Sequence, residues 1–166
     1  LLSFSTTRNG QHVFHGSSFG DDAEFANSYS QQFAKLVGVA FMAEYADSTW
    51  FAPLSRLWNG GLRAARGQIG LRKRHPTKDG PDYLAAPFDP TVSRTKDPLY
   101  VLEFKGRSGR VDFKHAAFVK WRRQGRNIVA TSRGREVKLK SWVLAFNYAF
   151  EGLGTRNSVL LVEDPW

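Results

Sequence analysis

Eight residues, LYVLEFKG at 99–106, constrain this chain more than any other stretch. They are too few for a stable helix, rich in β-formers and closed by glycine, so they read as a strand. Alternate side chains of a strand share a face, which puts Val101, Glu103 and Lys105 on one side and Tyr100, Leu102 and Phe104 on the other. A strand that only fills a core has no use for Glu103 and Lys105, because burying unpaired charge is costly. Something must bind beside them. The run PDYLAA at 81–86 reads as the partner arm of a hairpin, and Asp82 at its polar end then approaches Glu103. Two neighbouring carboxylates repel unless a cation lies between them. Mg2+ is the natural answer, since it binds through a few carboxylates and keeps several waters; Mn2+ is expected to substitute. Lys105 at such a site would orient or help deprotonate a water and offset charge on a pentacoordinate phosphate.

The remaining pattern predicts an α/β fold with a mixed sheet flanked by helices. Residues 21–51 carry Asp21 as N-cap, Glu24 three positions on, and apolar residues from Phe25 to Phe41 at helical spacing, which predicts one long helix. Glu44 follows Phe33 by eleven residues, a rotation of about 1100° and so nearly in phase with it, which puts an acid on the apolar stripe and makes it a third candidate ligand. Asp47 is held in reserve. A short helix broken at Gly60 and Gly61 is expected next, then strands at QIGLRKRH, PDYLAA and LYVLEFKG, a basic helix after Asp112, a strand at NIVATS, a helix around SWVLAFNYAFEG and a last strand NSVLLVED. Residues 1–20 read as an irregular arm in which QHVFH alternates like a short strand. The whole, residues 1–166, reads as one domain, and its start at Leu rather than Met leads to the expectation of a piece cut from a longer protein.

Lys and Arg number 24 against 15 Asp and Glu, a net charge of +9 that attracts polyanions, DNA first. Candidate phosphate contacts are Arg72, Lys73 and Arg74 in one cluster and Lys114, Lys120, Arg122 and Arg123, with His115 and Arg126, along the basic helix. No cysteine is present, which excludes disulfides, thiolate catalysis and Cys-ligated zinc. No apolar run approaches the ~20 residues of a membrane span, so no membrane partner is expected. The four histidines show no metalloprotease spacing, and the glycines at 60–70 match neither a phosphate loop nor a dinucleotide fingerprint, so neither ATP nor NAD is expected.

GPDYL followed by VLEFKG resembles the Pro-Asp…(Asp/Glu)-X-Lys signature of the PD-(D/E)XK nuclease superfamily, with Pro81, Asp82, Glu103, Phe104 and Lys105 filling its slots. The resemblance covers about residues 21–132 and implies an αβββαβ, restriction-endonuclease-like core. It implies that Asp82, Glu103 and the Phe104 carbonyl ligate the metal, that Lys105 attends the water, and that Glu44 matches the helix acid many members carry. Many relatives hold a Gln followed four residues later by Tyr on the next helix; here Gln124 has no such Tyr. The implied activity is a Mg2+-dependent deoxyribonuclease. A small basic nuclease of this kind is similar to the C-terminal toxin domains of bacterial polymorphic toxins and secreted antibacterial effectors, which implies delivery into a target cell's cytoplasm and an acidic immunity protein. The alternatives are a cytoplasmic repair, recombination or restriction nuclease, a ribonuclease, and a noncatalytic nucleic-acid-binding module in which Glu103 and Lys105 only pair with each other.

Overall fold

The computed structural model describes residues 4–6, 12–14, 23–65, 67–92, 98–107, 112–147 and 158–163. In chain order the elements are β1 (Phe4–Thr6), β2 (His12–Phe14), α1 (Ala23–Tyr45), β3 (Trp50–Pro53), a 3-10 turn (Leu54–Arg56), β4 (Leu62–Ala64) and β5 (Gly67–Arg72). They continue with β6 (Tyr83–Ala86), β7 (Tyr100–Arg107), α2 (Ala116–Gly125), β8 (Val129–Ser132), β9 (Arg135–Val137), β10 (Lys140–Asn147) and β11 (Val159–Glu163). The fold is α/β, with a five-stranded sheet in the order β11-β10-β7-β6-β3, a four-stranded antiparallel sheet β4-β5-β8-β9, and the hairpin β1-β2.

The expected hairpin is present at the centre of the larger sheet. Strand β6 pairs antiparallel with β7, setting Tyr83 opposite Leu102 and Leu84 opposite Val101, while β10 runs parallel to β7 on its other side. A strand paired on both edges and covered on both faces can be apolar almost throughout, and β7 is buried from Val101 to Phe104.

Alternation along β7 sorts the core into layers. Leu102 and Phe104 face α1, packing with Met42, Ala85 and Leu144. On the opposite face, Val101, Leu84 and Ala86 pack with Leu71, Ile128 and Ala130 of and beside the smaller sheet. Beside that cluster Val143 and Ala145 take Phe118 and Trp121 of α2. Glu103 sits in the seam where α2 meets the smaller sheet, because it shares the face of Val101 and lies opposite Val143 in register.

Four expectations are corrected. Helix α1 ends at Tyr45 rather than at 51, since Asp47 turns the chain with a left-handed φ of 48° and Trp50 onward pairs as β3. The run QIGLRKRH contributes β5 and NIVATS contributes β8, but these two pair with each other in the smaller sheet instead of joining the hairpin. SWVLAFNYAFEG is not a helix: its first part lies in β10, and residues 148–152 fall outside the described residues. The short helix at 53–67 reduces to one 3-10 turn before β4. The N-cap Asp21 and most of the N-terminal arm lie outside the described residues, although QHVFH does supply β2. Among the described residues no helix is long and apolar enough to cross a membrane.

Candidate active site

Asp82 is fixed by its backbone before its side chain does anything. Its N–H donates to the Leu102 carbonyl at 3.0 Å and its own carbonyl accepts from Leu54 N–H at 2.9 Å, so it extends β6 between its two neighbours. The side chain then continues the ladder. Asp82 Oδ2 accepts from the Phe104 N–H at 2.9 Å, replacing the carbonyl that a longer β6 would have offered. Pro81, which has no N–H to donate, ends the ladder at this point and is buried.

Glu103 is wholly buried, at 0% exposure. The Lys105 ammonium lies 2.6 Å from its Oε1, yet neither carboxylate oxygen has a well-aligned hydrogen-bond donor among the described residues. That is an ion pair by distance with an unsatisfied acid at its base. Burial, then the charge of Asp82, push the Glu103 carboxyl up to about 8, with Lys105 opposing and Asp79 adding a smaller push. The α2 backbone closes over it at Gly125, where an added Cβ would stand 3.9 Å from Glu103 Cβ and 2.7 Å from Ser141 Oγ.

Above this pair opens a polar cleft of about 510 Å³. Asp82 and Lys105 form its base, and Lys35 of α1 and Lys73 just after β5 bring two further cations to its walls. Lys35 Nζ sits 5.8 Å from the centre of the Tyr83 ring, a cation–π contact that steadies a long side chain. Asp79, Trp58 and Gln124 also line it. Gln124 therefore reaches the site even without the Tyr that accompanies it in the resembled family.

The turn carrying Asp79 is clamped from below by Asn127, which is only 3% exposed. Asn127 Nδ2 donates to the carbonyls of His75 at 3.1 Å, Lys78 at 3.2 Å and Asp79 at 3.0 Å, while its Oδ1 accepts from the His75 N–H at 2.7 Å. One buried amide thus sets the position of five residues, 75–79, at the rim of the cleft.

The predicted site residues divide. Asp82, Lys105 and Lys73 line the cleft, with Glu103 beneath it. Glu44 does not join them: it is exposed at the last turn of α1. The buried line on that helix runs Ser30, Ala34, Gly38, Met42, and each step of four residues advances it by about 40°. Glu44 keeps phase with Phe33 on the flank of that line, but by Met42 the line has moved about 160° away from it. Asp47, the reserve, is also exposed. Arg72, Lys114, Lys120 and Arg123 are exposed and line neither the cleft nor the cavity behind it. Arg122 is engaged in the fold, paired to Glu163 Oε2 at 2.5 Å and laid over the Phe118 ring. Arg74 pairs with Glu136 at 3.3 Å. His115 caps α2, its Nδ1 accepting from the Ala117 N–H.

Among the described residues no three His, Asp or Glu side chains stand together as a metal cage. The donor set is two carboxylates, one of them dry and unsatisfied. That set fits a hard divalent ion that keeps most of its water, and it does not fit zinc. Lys35, Asp79 and Asn127 were not legible as site residues; only their nearness to PD in the folded chain marks them. No family model matches the chain, and no curated protein or solved structure is significantly similar to it.

Proposed function

We propose that this domain is a metal-dependent endonuclease that hydrolyses phosphodiester bonds of DNA. The observation that carries the reading is Glu103: an acid with 0% exposure, paired by distance to Lys105, next to Asp82, under a cleft edged by Lys35 and Lys73. A fold does not keep a desolvated carboxylate just beneath an open polar cleft for stability, since an apolar residue of similar volume would serve better. The likeness of PD…EFK to the PD-(D/E)XK signature points the same way.

Asp82 and Glu103 would hold Mg2+. Bound there, the ion would supply Lewis acidity toward water and phosphate oxygen. Lys35 and Lys73 hold the phosphate oxygens on the walls, and Lys105 Nζ presents a proton donor at the floor, where charge develops on the phosphate. Asp82 keeps its place through the Phe104 N–H, so its second oxygen remains directed by the strand rather than by solvent. The biological setting we propose, on the family likeness and the +9 charge, is a toxin or effector module acting in a target bacterium, with an acidic immunity protein as its natural inhibitor.

The test is incubation with supercoiled plasmid in Mg2+ and in EDTA, beside Glu103→Gln. Nicking that requires both the ion and Glu103 is the expected result. Intact plasmid and intact RNA in every lane would replace this reading with a noncatalytic nucleic-acid-binding module.

A further inference from the structure

Behind the cleft lies a second cavity of about 370 Å³, within the range of small-ligand pockets. The two have no lining residue in common but are lined by chain neighbours: Lys73 and Gln124 line the cleft, and Arg74 and Gly125 line the cavity. Along one face of β7, Lys105 belongs to the cleft, Glu103 lies between, and Val101 belongs to the cavity. The cavity therefore lies further along the same strand from the proposed point of cleavage, on the far side of Glu103.

Its chemistry differs from that of the cleft. Val101, Ile128, Ala130, Val137 and Leu139 make an apolar floor, too dry to hold an anion. The rim is charged. Arg74 is already paired to Glu136, whereas Arg126 and Lys138 have no ion-pair partner among the described residues. The C-terminus of α2 at Gly125 brings roughly half a negative charge, which two full positive charges outweigh. Ser141 adds a hydroxyl beside Gly125. A ligand for this site carries a flat apolar body, a few polar edge groups and a phosphate.

We infer that the second cavity holds one unstacked nucleotide, its base on the Val101–Ile128–Leu139 floor and its phosphate on Arg126 and Lys138. The inference rests on the nuclease reading for its biological sense, but the site is testable without cleavage. A domain that takes up an unstacked base prefers single-stranded or locally opened nucleic acid to intact duplex, because unstacking must be supplied by the duplex otherwise.

The experiment is an amide-resolved NMR titration of the chain in EDTA with a 5′-deoxymononucleotide, the matching deoxynucleoside and inorganic phosphate. Shifts at Ile128, Ala130 and Leu139 that saturate with the mononucleotide are expected, weaker with the nucleoside and absent with phosphate. Arg126→Glu with Lys138→Glu, both exposed side chains, should weaken mononucleotide binding about tenfold or more through loss of charge-assisted contacts. Saturation by phosphate alone makes the cavity an anion site and overturns the inference, as do shifts confined to the cleft around Lys35 and Asp79. Plasmid cutting with wild-type preference for single strands in the double variant, and no mononucleotide bound, defeats the cavity while the nuclease reading stands. Mononucleotide bound in the cavity with no cutting of any substrate defeats the nuclease reading alone.

Discussion

Glu103 ties the stability of the protein to pH in a direction opposite to most acids. Its carboxyl is raised from 4.5 to about 8, first by burial and then by Asp82, so between those values the native state binds a proton that the unfolded chain has released. Its contribution to stability is complete below about pH 4.5 and lost as pH rises through about 8. In EDTA, urea unfolding at pH 5 to 8 should show Glu103→Gln gaining on the wild type by up to about 1.4 kcal/mol for each pH unit. Parallel pH profiles for the two proteins would mean that Glu103 is ionised throughout and that Lys105 fully compensates it. Added Mg2+ should stabilise the wild type at pH 8 and leave Glu103→Gln unmoved, because a ligand binding only the native state raises its stability by mass action. The nearness of Asp82 to Glu103 and Lys105 was legible because strand alternation and the pairing of two neighbouring strands are local patterns. Glu44 was misplaced because a stripe read from one apolar residue ignores its drift along 23 residues of helix. Asp79 was invisible because Asn127, 48 residues further on, decides where it stands.

At the scale of elements, two contacts hold the cleft together. Helix α1 meets β7 at Gly38, where a Cβ would stand 2.2 Å from the buried Phe104 ring. Gly38→Ala gains about 1 kcal/mol of helix propensity but loses about 1–3 kcal/mol to overpacking against a ring that has nowhere to go. Net destabilisation in thermal unfolding is expected; a rise in Tm would show that α1 can slide on the sheet. The second contact is the Asn127 clamp. Asn127→Ala removes four hydrogen bonds from the 75–79 turn, and amide hydrogen exchange at Lys78 should accelerate while β7 stays protected. Uniform acceleration would assign Asn127 to global stability instead. A turn residue marks β6 in the sequence, whereas α2 begins at Ala116 on a His115 cap rather than directly after Asp112, whose carboxylate instead accepts from the Lys114 N–H in the preceding turn. SWVLAFN is a short apolar run with no decisive period, equally consistent with a helix, and only its parallel pairing with β7 makes it a strand. The smaller sheet was missed for the same reason, since β5 and β8 find each other across some 60 residues.

Across the whole molecule, a net charge of +9 would draw DNA in on the proposed nuclease reading, but it does not say which face would receive it. Lys120 and Arg123 stand on exposed positions of α2 and line neither cavity, whereas Lys35, Lys73, Arg126 and Lys138 line the cleft and the cavity behind it. Each phosphate neutralised adds about 0.9 to the slope of log affinity against log salt for duplex DNA, and about 0.7 for a single strand. Binding measured in EDTA, where no cutting intervenes, should therefore lose close to one unit of slope on Lys73→Ala and about another on Lys138→Ala. Lys120→Ala with Arg123→Ala should leave the slope where it was. Both groups of residues attract DNA at long range, so on-rates at low salt fall in every variant; only the slope separates cations that touch phosphate from those that merely steer. A loss of slope from the α2 pair and none from Lys73 would put the DNA on the outer face of the helix, away from Glu103, and a domain that binds there has no chemistry to perform on what it holds.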